Sequence, residues 1–520
     1  MTQPNSIFFM VDQLAAKWLE AAMDGICDLL NIQRLKSQGA SFTNAITSNP
    51  VCCAARSTLA TGLTARGHGV IENGYQLDPA LPTFMRTLQA DGWRTGAFGK
   101  VHLKPHFAGL RPDYRPYGFD VTHITEDARG GEWLDWIASE HPKHYEVVLA
   151  TIWPTEIPDY AAYDTGRPGQ GVTNLRKRIK AISRKFDWLM PGFPDSPAGA
   201  YPLPFPAEVS QTEWITMQAL EFLRQTPADQ PLYVHISYVQ PHRPFCTPAD
   251  YIRRVDPAIL PAPVPAEWVE DPNAPGYFRH KTPAQPNWQL IRRYYFADLM
   301  HLNYQLGLVM ETLEQQQRDC NTYLFFLADH GELLGDHCFT GKEEHHYHAC
   351  IRVPLIIAGA GIQQGTIYHQ PVQLEDICPT ALDMTNHRFP AMPKMGPYLK
   401  VEADQIPRLP GRSLLPLCQE NTTVTGWRQA AYGGSYNAIW SIDPGDWAQT
   451  IRTDRYRYTI YPGQGGQLFD LQNDPDEQHN LVAEADCADI RQQPQYQLME
   501  LLIGQDYPKT RRSLFALGAH

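Results

Sequence analysis

A segment near the N-terminus carries residue types suited to nucleophilic chemistry on an anionic group. It runs from Cys52 to Gly62 and reads Cys-Cys-Ala-Ala-Arg-Ser-Thr-Leu-Ala-Thr-Gly. Because its alanines and leucine favour a helix, Cys52 is expected at a helix N-terminus, where free N–H groups and the helix dipole hold an anion and lower a thiol pKa. Arg56 would lie one turn further on and pair with an anionic group there. A buried cysteine pair on an ordinary helix is the alternative.

Acidic side chains follow two apolar segments that read as buried strands. Asp12 comes directly after the run 7–11, and Asp329 follows the run 322–327 after a single alanine. Functional residues of a parallel sheet gather beyond the C-terminal ends of its strands, and two oxygen ligands at such ends suit a divalent cation. Either Asp alone would more simply be a turn or helix-cap residue. The two together, with Cys52, favour a metal site.

A basic pair ends another apolar segment. The run Arg94–Phe98 leads into Gly99, Lys100, Val101 and His102. Residues two apart at a strand end point to the same side, so Lys100 and His102 can face one site. Together they would supply a cation and a proton carrier that works near neutral pH.

These motifs together resemble those of the type I sulfatases, the formylglycine-dependent family of the alkaline phosphatase superfamily. The form Cys-x-Ala-x-Arg-x-x-x-x-Thr-Gly at 52–62 is similar to the family signature, although position 54 is Ala where the commonest motif has Pro. In that family the cysteine is oxidised to formylglycine, an aldehyde whose hydrate attacks the sulfur of a sulfate ester. The resemblance implies a sulfatase that converts a small-molecule sulfate monoester to alcohol and sulfate. It also implies a formylglycine-generating or sulfatase-maturating enzyme as a partner.

The resemblance assigns a role to each site residue. The implied ligands of one divalent cation are Asp12, Gln13, Cys52, Asp329 and His330. Oxygen ligands favour Ca²⁺, Mn²⁺ or Mg²⁺, and the imidazole makes Mn²⁺ or another transition metal credible. Lys100 would bind the formylglycine hydroxyls and the sulfate. His102 would take a proton from the second hydroxyl, which expels sulfate and regenerates the aldehyde.

Further resemblances bear on the leaving group and on the choice of substrate. His242, in Pro-His-Arg-Pro, and Lys342 would face the ester oxygen and protonate or stabilise the leaving group. Asn73 would contact the transferred group. The pairs Asp-Gln and Asp-His, in place of Asp-Asp and Asp-Asn, resemble the arylsulfatase and phosphonate monoester hydrolase branch. Hydrolysis of phosphonate monoesters or phosphodiesters with the same parts is therefore the alternative function.

Two other classes of protein fit less well. A two-zinc phosphatase of the same superfamily needs ligands for a second metal, and the sequence does not assign them. A non-catalytic binding protein on this scaffold predicts a missing catalytic residue, and none is missing. The histidine-rich run at 345–348 stays outside the predicted metal set, because such runs near an anion site are more often substrate-facing or exposed.

The alternation of apolar strand and helix patterns predicts an α/β fold. We expect a large, mostly parallel sheet sandwiched by helices, as in the alkaline phosphatases, in a catalytic domain over residues 1–400 with an insertion at about 104–205. Residues 401–520 would form a smaller α+β subdomain that ends in a tail. The antiparallel sheet of that subdomain is predicted from strands at 429–432, 438–442, 449–453, 456–461 and 467–471, followed by a helix at 493–503.

Composition restricts the partners and the compartment. The net charge of −12 argues against nucleic acid, and the ten scattered cysteines contain no Cys-x-x-Cys pair that would indicate structural zinc. No secretory leader and no run of about 18 apolar residues is seen, so a cytoplasmic chain that does not span a membrane is expected. The basic segment Arg176–Lys185 is predicted to be a solvated helix face. The tail with Lys509 and Arg511 makes a homodimer or homotetramer plausible.

Overall fold

The structure is a computed structural model that describes residues 3–105, 108–153, 157–163, 172–185, 199–276, 278, 287–342, 345–387, 409–419, 424–436 and 447–505. Its strands are β1 (Asn5–Val11), β2 (Gly39–Phe42), β3 (Ala45–Ile46), β4 (Arg94–Gly99), β5 (Val121–Ile124), β6 (Ala200–Pro202), β7 (Leu232–Tyr238), β8 (Phe245–Thr247), β9 (Thr322–Ala328), β10 (Leu355–Ala358), β11 (Thr366–Tyr368), β12 (Val372–Gln373), β13 (Ala430–Ser435), β14 (Ala448–Thr453), β15 (Tyr456–Tyr461) and β16 (Gly465–Asp470).

The helices connect and cover these strands. They are α1 (Ala16–Ala21), α2 (Leu30–Gln38), α3 (Cys52–Thr61), α4 (Ala65–His68), α5 (Phe84–Ala90), α6 (Glu132–Glu140), α7 (Tyr145–Leu149), α8 (Val172–Ser183), α9 (Gln211–Gln225), α10 (Ala249–Arg254), α11 (Trp288–Gln315), α12 (His348–Ile351), α13 (Ile377–Met384), α14 (Leu415–Cys418) and α15 (Ala488–Gln505). None of the helices in the described ranges is long and apolar enough to cross a membrane.

An eight-stranded sheet forms the centre of the fold. Its spatial order is β11-β2-β10-β9-β1-β7-β4-β5. Only β10 runs antiparallel to its neighbours, β2 and β9, and the other pairs are parallel. The central strands read as nearly continuous apolar runs because both of their faces are buried. The predicted large, mostly parallel sheet is confirmed.

Aromatic residues join the sheet to helices on both of its faces. On one face Phe8 of β1 packs against Phe84 of α5, with ring centroids 5.4 Å apart. The next residue, Phe9, points to the opposite face, and Phe98 of β4 lies on that same face through the register. There Phe98 contacts Phe222 of α9 at 5.4 Å. Side chains alternate between the two faces of a strand and repeat about every 3.6 residues along a helix. These periods place the apolar residues of strands and helices in one core.

The C-terminal part forms the predicted antiparallel sheet, a meander β13-β14-β15-β16. The strand predicted at 438–442 lies outside the described residues, as does the tail with Lys509. Residues 41–46 read in the sequence as one strand. The structure divides this run, because β2 joins the large sheet while β3 pairs with β12 in a separate two-stranded sheet.

The predicted insertion contributes to the main sheet. Strand β5, within residues 104–205, pairs in parallel with β4 and forms one edge of the eight-stranded sheet. Its residues are only half-buried apart from Ile124, so no apolar run marked it in the sequence. On α8, Arg176, Lys177 and Lys180 are exposed, as predicted for a solvated basic face.

Gly99 offers a test of how tightly the strand end before Lys100 is packed. Its φ is +90°, and a Cβ would lie 2.0 Å from the carbonyl oxygen of Ser237. Gly92 has nearly the same φ, +91°, but open space around it. Gly99→Ala should therefore lower the apparent Tm far more than Gly92→Ala, which carries only the conformational cost of about 1 kcal/mol. Thermal scans of both variants check this, and equal shifts would show that the close approach is not rigid.

Candidate active site

The strand register brings the polar residues of the predicted site to one edge of the sheet. Strands β1 and β9 are parallel neighbours with Val11 opposite Ala328, so Asp12 and Asp329 follow side by side. On the other side of β1, Val11 lies opposite Tyr238 of β7. Gly99 of β4 in turn lies opposite Ser237, which puts Lys100 at the same edge. The polar residues expected at the C-terminal ends of the strands therefore lie along one edge of the sheet.

Helix α3 places Cys52 over this edge. The helix begins at Cys52, all of its residues are buried, and it ends at Thr61, followed by Gly62, whose φ of 67° is left-handed. Asn73 Oδ1 accepts a hydrogen bond from the Cys53 backbone N at 3.0 Å, so this predicted substrate contact caps the first turn of the helix. The Cys53 thiol points away to the carbonyl oxygen of Tyr75 at 3.1 Å. Cys53 packs, and Cys52 faces the site.

Four side chains converge on one point. Ligand atoms of Asp12, Cys52, Asp329 and His330 all lie within 4.8 Å of one another, and all four residues are buried. His330 Nε2 is 3.1 Å from Cys52 Sγ and 3.6 and 3.7 Å from Asp12 Oδ1 and Asp329 Oδ1. Two carboxylates, an imidazole and a fourth donor form a set that fits one divalent cation.

The imidazole is in the form that ligates metals. His330 Nδ1 lies 3.0 Å from the carbonyl oxygen of Gly331, which holds the proton on that nitrogen and leaves the Nε2 lone pair toward the cluster. Burial lowers the pKa of His330 to about 4, so the ring is neutral near pH 7.

Gln13 takes part through its backbone and its amide. Its N–H donates to Asp329 Oδ1 at 3.0 Å, which orients that carboxylate. Its side chain donates to Glu332 and accepts from Lys342 Nζ at 3.1 Å. The structure thus links this predicted ligand to Glu332, a buried carboxylate to which the sequence analysis gave no role. The Tyr295 hydroxyl also fixes Gln13, by donating to its carbonyl oxygen at 2.8 Å.

Arg56 neutralises one of the carboxylates. Its Nε donates to Asp329 Oδ2 at 2.8 Å, and its Nη1 donates to the Lys100 carbonyl oxygen and to Ser237 Oγ at 2.6 and 2.8 Å. Its Nη2 is buried and makes no hydrogen bond within the described residues. Within the described residues, the anionic group that Arg56 pairs with is Asp329.

Lys100 neutralises the other carboxylate and shares its charge. Its ammonium is 2.5 Å from Asp12 Oδ2 and 2.6 and 2.8 Å from the two oxygens of Asp127. Burial opposes this charge, but the two carboxylates raise the pKa of Lys100 well above its usual value. Asp12, Asp127 and His242 also lie within 4.8 Å of one another, but the ammonium of Lys100 already lies between the two carboxylates and contacts both. This favours one metal over two.

Lys342 and His242 border the same centre. Lys342 Nζ lies 2.8 Å from Cys52 Sγ and 3.0 Å from His330 Nε2. His242 Nδ1 is 2.7 Å from the carbonyl oxygen of Arg243, and burial together with Lys342 lowers the pKa of His242 to about 3. Lys342 is thus the group of the two that carries a proton to donate near neutral pH.

His102 is placed by a turn and not by strand geometry. Strand β4 ends at Gly99, and His102 adopts a left-handed backbone with φ of 49°. Its backbone N donates to Glu126 Oε1 at 3.0 Å, and Tyr114 donates to the same oxygen at 2.7 Å. The expected alternation therefore does not apply to His102, which lies beyond the strand. Its side chain is nevertheless buried, as is that of Lys100.

The predicted effect of the helix N-terminus on the thiol is wrong. Burial, with a further contribution from Asp12, raises the pKa of Cys52 to about 12, against the opposite influence of Lys100 and Lys342. Desolvation of a thiolate and a neighbouring carboxylate therefore outweigh the helix dipole. The unmodified thiol is protonated near neutral pH.

The histidine-rich run is structural where it is described. His346 bonds to Thr450 Oγ1 at 2.7 Å and to Ser435 Oγ at 3.0 Å. The ring of His345 packs on Phe339, with centroids 3.9 Å apart. Both residues are buried, so the expectation that this run is exposed is wrong for His345 and His346.

Comparisons with known proteins identify relatives over most of the chain. The sulfatase family matches residues 4–387, and N-sulphoglucosamine sulphohydrolase, C-terminal, matches residues 335–503. An arylsulfatase of Clostridium perfringens is 24% identical over 495 residues, covering 92% of this chain and 90% of that protein. A choline-sulfatase of Rhizobium meliloti is 25% identical over 506 residues, covering 92% and 82%. The solved phosphonate monoester hydrolase of Agrobacterium radiobacter superposes with a TM-score of 0.75 at 22% identity, covering 97% and 96%.

The match to the family model covers residues 4–387, which is most of the chain, and this match decides the class of protein. The chain belongs to the sulfatase family. It is a sulfuric ester hydrolase.

Glu375 supports the loop that leads to Cys52 and gives a pH-dependent stability. Ser48 donates a hydrogen bond to this fully buried carboxylate. Burial, reinforced by Asp376 and opposed by Ser48 and Arg428, raises the pKa of Glu375 from 4.5 to about 7. The folded protein therefore binds a proton in that interval that the unfolded chain releases. The contribution of Glu375 is most favourable below pH 4.5 and is lost as the pH rises to about 7.

Glu375→Gln should accordingly stabilise the enzyme increasingly as the pH rises, by up to about 3 kcal/mol over the full interval. The measurement is denaturant unfolding of variant and parent at about pH 5 and about pH 8.5. The exposed Glu484→Gln is the matched control and should show no such widening. An identical difference for Glu375→Gln at both pH values would contradict the assignment.

Proposed function

We propose that the enzyme hydrolyses sulfate monoesters at one divalent cation, with position 52 in its formylglycine form. The observation that carries this proposal is the convergence of Asp12, Cys52, Asp329 and His330 within 4.8 Å. The donor set of two carboxylates and a neutral imidazole suits Mn²⁺ or Ca²⁺, with Mg²⁺ as a further candidate. When bound, the cation would supply positive charge to the transferred group and to the nucleophile.

The formylglycine side chain would supply, as its hydrate, the hydroxyl that attacks sulfur. The residues of this chain would prepare the site for that chemistry. Arg56 and Lys100 hold buried positive charge next to the cluster, as an anionic ester requires. His102 would accept a proton when sulfate is released. Asn73 would act mainly by fixing the N–H of Cys53 and hence the start of α3.

Lys342 would stabilise the leaving group. Its ammonium contacts Cys52 Sγ at 2.8 Å, so it is within reach of an ester bound at position 52. An ammonium is only a donor, whereas His242 has its Nδ1 proton engaged by the Arg243 carbonyl. We therefore assign the donation to the ester oxygen to Lys342 and an orienting role to His242.

Burial bears on how the nucleophile would be made. Cys52 is 1% exposed, and every residue of α3 is buried. A maturating enzyme would therefore not reach this segment in the folded domain. Conversion would therefore precede folding, which makes such an enzyme a partner of the unfolded chain.

The alternative activity uses the same parts on phosphorus. Sulfuryl and phosphoryl groups are both tetrahedral, and the structural similarity to a phosphonate monoester hydrolase, with Gln13 and His330 in the pairs typical of that branch, favours testing it. The alternative substrates are phosphonate monoesters and phosphodiesters.

Replacement of Cys52 tests the nucleophile directly. Cys52→Ala should lower kcat by at least about 10³-fold, because the covalent step is lost. Cys53→Ser, which keeps the hydrogen bond to Tyr75, is the matched control and should retain turnover. In the parent, mass spectrometry should show a loss of about 18 Da, the difference between a thiol and an aldehyde side chain, with fragment ions that place it at position 52. Full turnover by Cys52→Ala would refute the proposal.

A competition assay separates the two activities. An aryl sulfate and the corresponding aryl phosphonate monoester and phosphodiester are offered together to the metal-loaded enzyme. We expect the aryl sulfate to have the highest kcat/KM, and chelation of the metal to abolish all the activities together. A higher kcat/KM for either phosphorus ester would assign the enzyme to the alternative activity.

A further inference from the structure

We propose that Asp127 is a positioning residue of this site: its carboxylate holds the ammonium of Lys100 and so leaves Asp12 available to ligate the cation. The inference rests on the proposed one-metal function, and it concerns a residue that the sequence motifs do not include. It is carried by the geometry around Lys100.

Lys100 is held between two carboxylates, and the contacts differ. Asp127 places both oxygens on Lys100 Nζ, at 2.6 and 2.8 Å. Asp12 uses Oδ2 alone, at 2.5 Å. The other oxygen of Asp12, Oδ1, faces His330 Nε2 at 3.6 Å and Cys52 Sγ at 3.8 Å. Asp12 thus divides its two oxygens between the ammonium and the metal cluster.

Water cannot replace these contacts, because all three side chains are buried. The side chains of Lys100 and Asp12 are 0% exposed and that of Asp127 is 3% exposed. A buried ammonium must keep a carboxylate partner, because an unpaired charge in this environment is strongly unfavourable. If Asp127 were uncharged, Asp12 would be the carboxylate left within ion-pair distance of Lys100 among the described residues. It would then be drawn toward Lys100 and away from the cation.

The fold explains why Asp127 reaches this point. Strand β5 pairs in parallel with β4, with Ile124 opposite Gly99. Thr125 N donates to the Gly99 carbonyl oxygen at 3.3 Å, so the chain beyond β5 follows the same sheet edge as Lys100. Asp127 lies three residues past the end of that strand. The edge strand within the predicted insertion therefore places a second carboxylate, that of Asp127, next to Lys100.

The affinity for the cation is the quantity to measure, because loss of a merely structural aspartate would not change that affinity selectively. Mn²⁺ alone is titrated by calorimetry into the full-length, metal-stripped protein and its variants. Asp127→Asn should raise the Kd for Mn²⁺ by about tenfold or more, which is the usual effect of removing a side chain that positions a metal ligand. Asp127→Glu, which keeps the charge, should restore most of the affinity. Asp113→Asn, which removes an exposed partner of Arg115, is the matched control and should leave the Kd unchanged.

A double-substitution cycle shows whether Asp127 acts through Lys100. Lys100→Met and Asp127→Asn should be less than additive in the Mn²⁺ Kd, since either change breaks the same contact. Strict additivity, or an unchanged Kd in Asp127→Asn, would overturn the inference. Two Mn²⁺ per parent chain, falling to one in Asp127→Asn, would overturn it as well, because Asp127 would then be a ligand. If Asp127→Asn does not fold, Asp127→Ser carries the same comparison.

The two proposals fail in different ways. A parent protein that binds neither Mn²⁺ nor Ca²⁺ would overturn the one-metal site and, with it, the role of Asp127. A parent that binds Mn²⁺ tightly, with an equal Kd in Asp127→Asn, would overturn only the role of Asp127.

Discussion

The in-register pairing of β1 with β9 is the constraint on which the site depends. It places Asp12 and Asp329 next to each other, each 0% exposed, at the end of two strands whose residues are nearly all buried. Two carboxylates this close and this dry repel each other and lack water, so the fold must surround them with positive charge. The contacts of Arg56 and Lys100 supply that compensation.

The compensation is divided among separate elements. Arg56 from α3 forms an ion pair with Asp329, and Lys100 from the end of β4 forms one with Asp12. The remaining oxygens of the two carboxylates face His330 and position 52, which is where a cation fits. A set of buried charges held by four elements is costly to disturb, because removing one partner leaves the other unpaired. The same arrangement gives the site preorganised charge toward an anionic ester.

Much of the fold was predictable because its signals are local. Continuous apolar runs identify β1, β7 and β9, and the aspartates directly after β1 and β9 indicate the functional edge. Strand β5 was not predicted, because a short, half-buried edge strand has no apolar run to reveal it. The run at 41–46 was predicted as one strand, but its two halves pair with different partners, and pairing is a non-local property.

By itself the sequence determined the family. It also marked the positions that we propose for the nucleophile, for the ligand pairs at 12–13 and 329–330 and for the basic residues at 56, 100 and 342, since each lies in a motif or at a strand end. Only the tertiary structure decided how these groups neutralise one another. It brought Asp127 to Lys100 and Glu332 to Gln13, and it reversed the expected pKa shift of Cys52. Charge pairing and desolvation depend on which atoms become neighbours across the fold, and residue spacing along the chain does not contain that information.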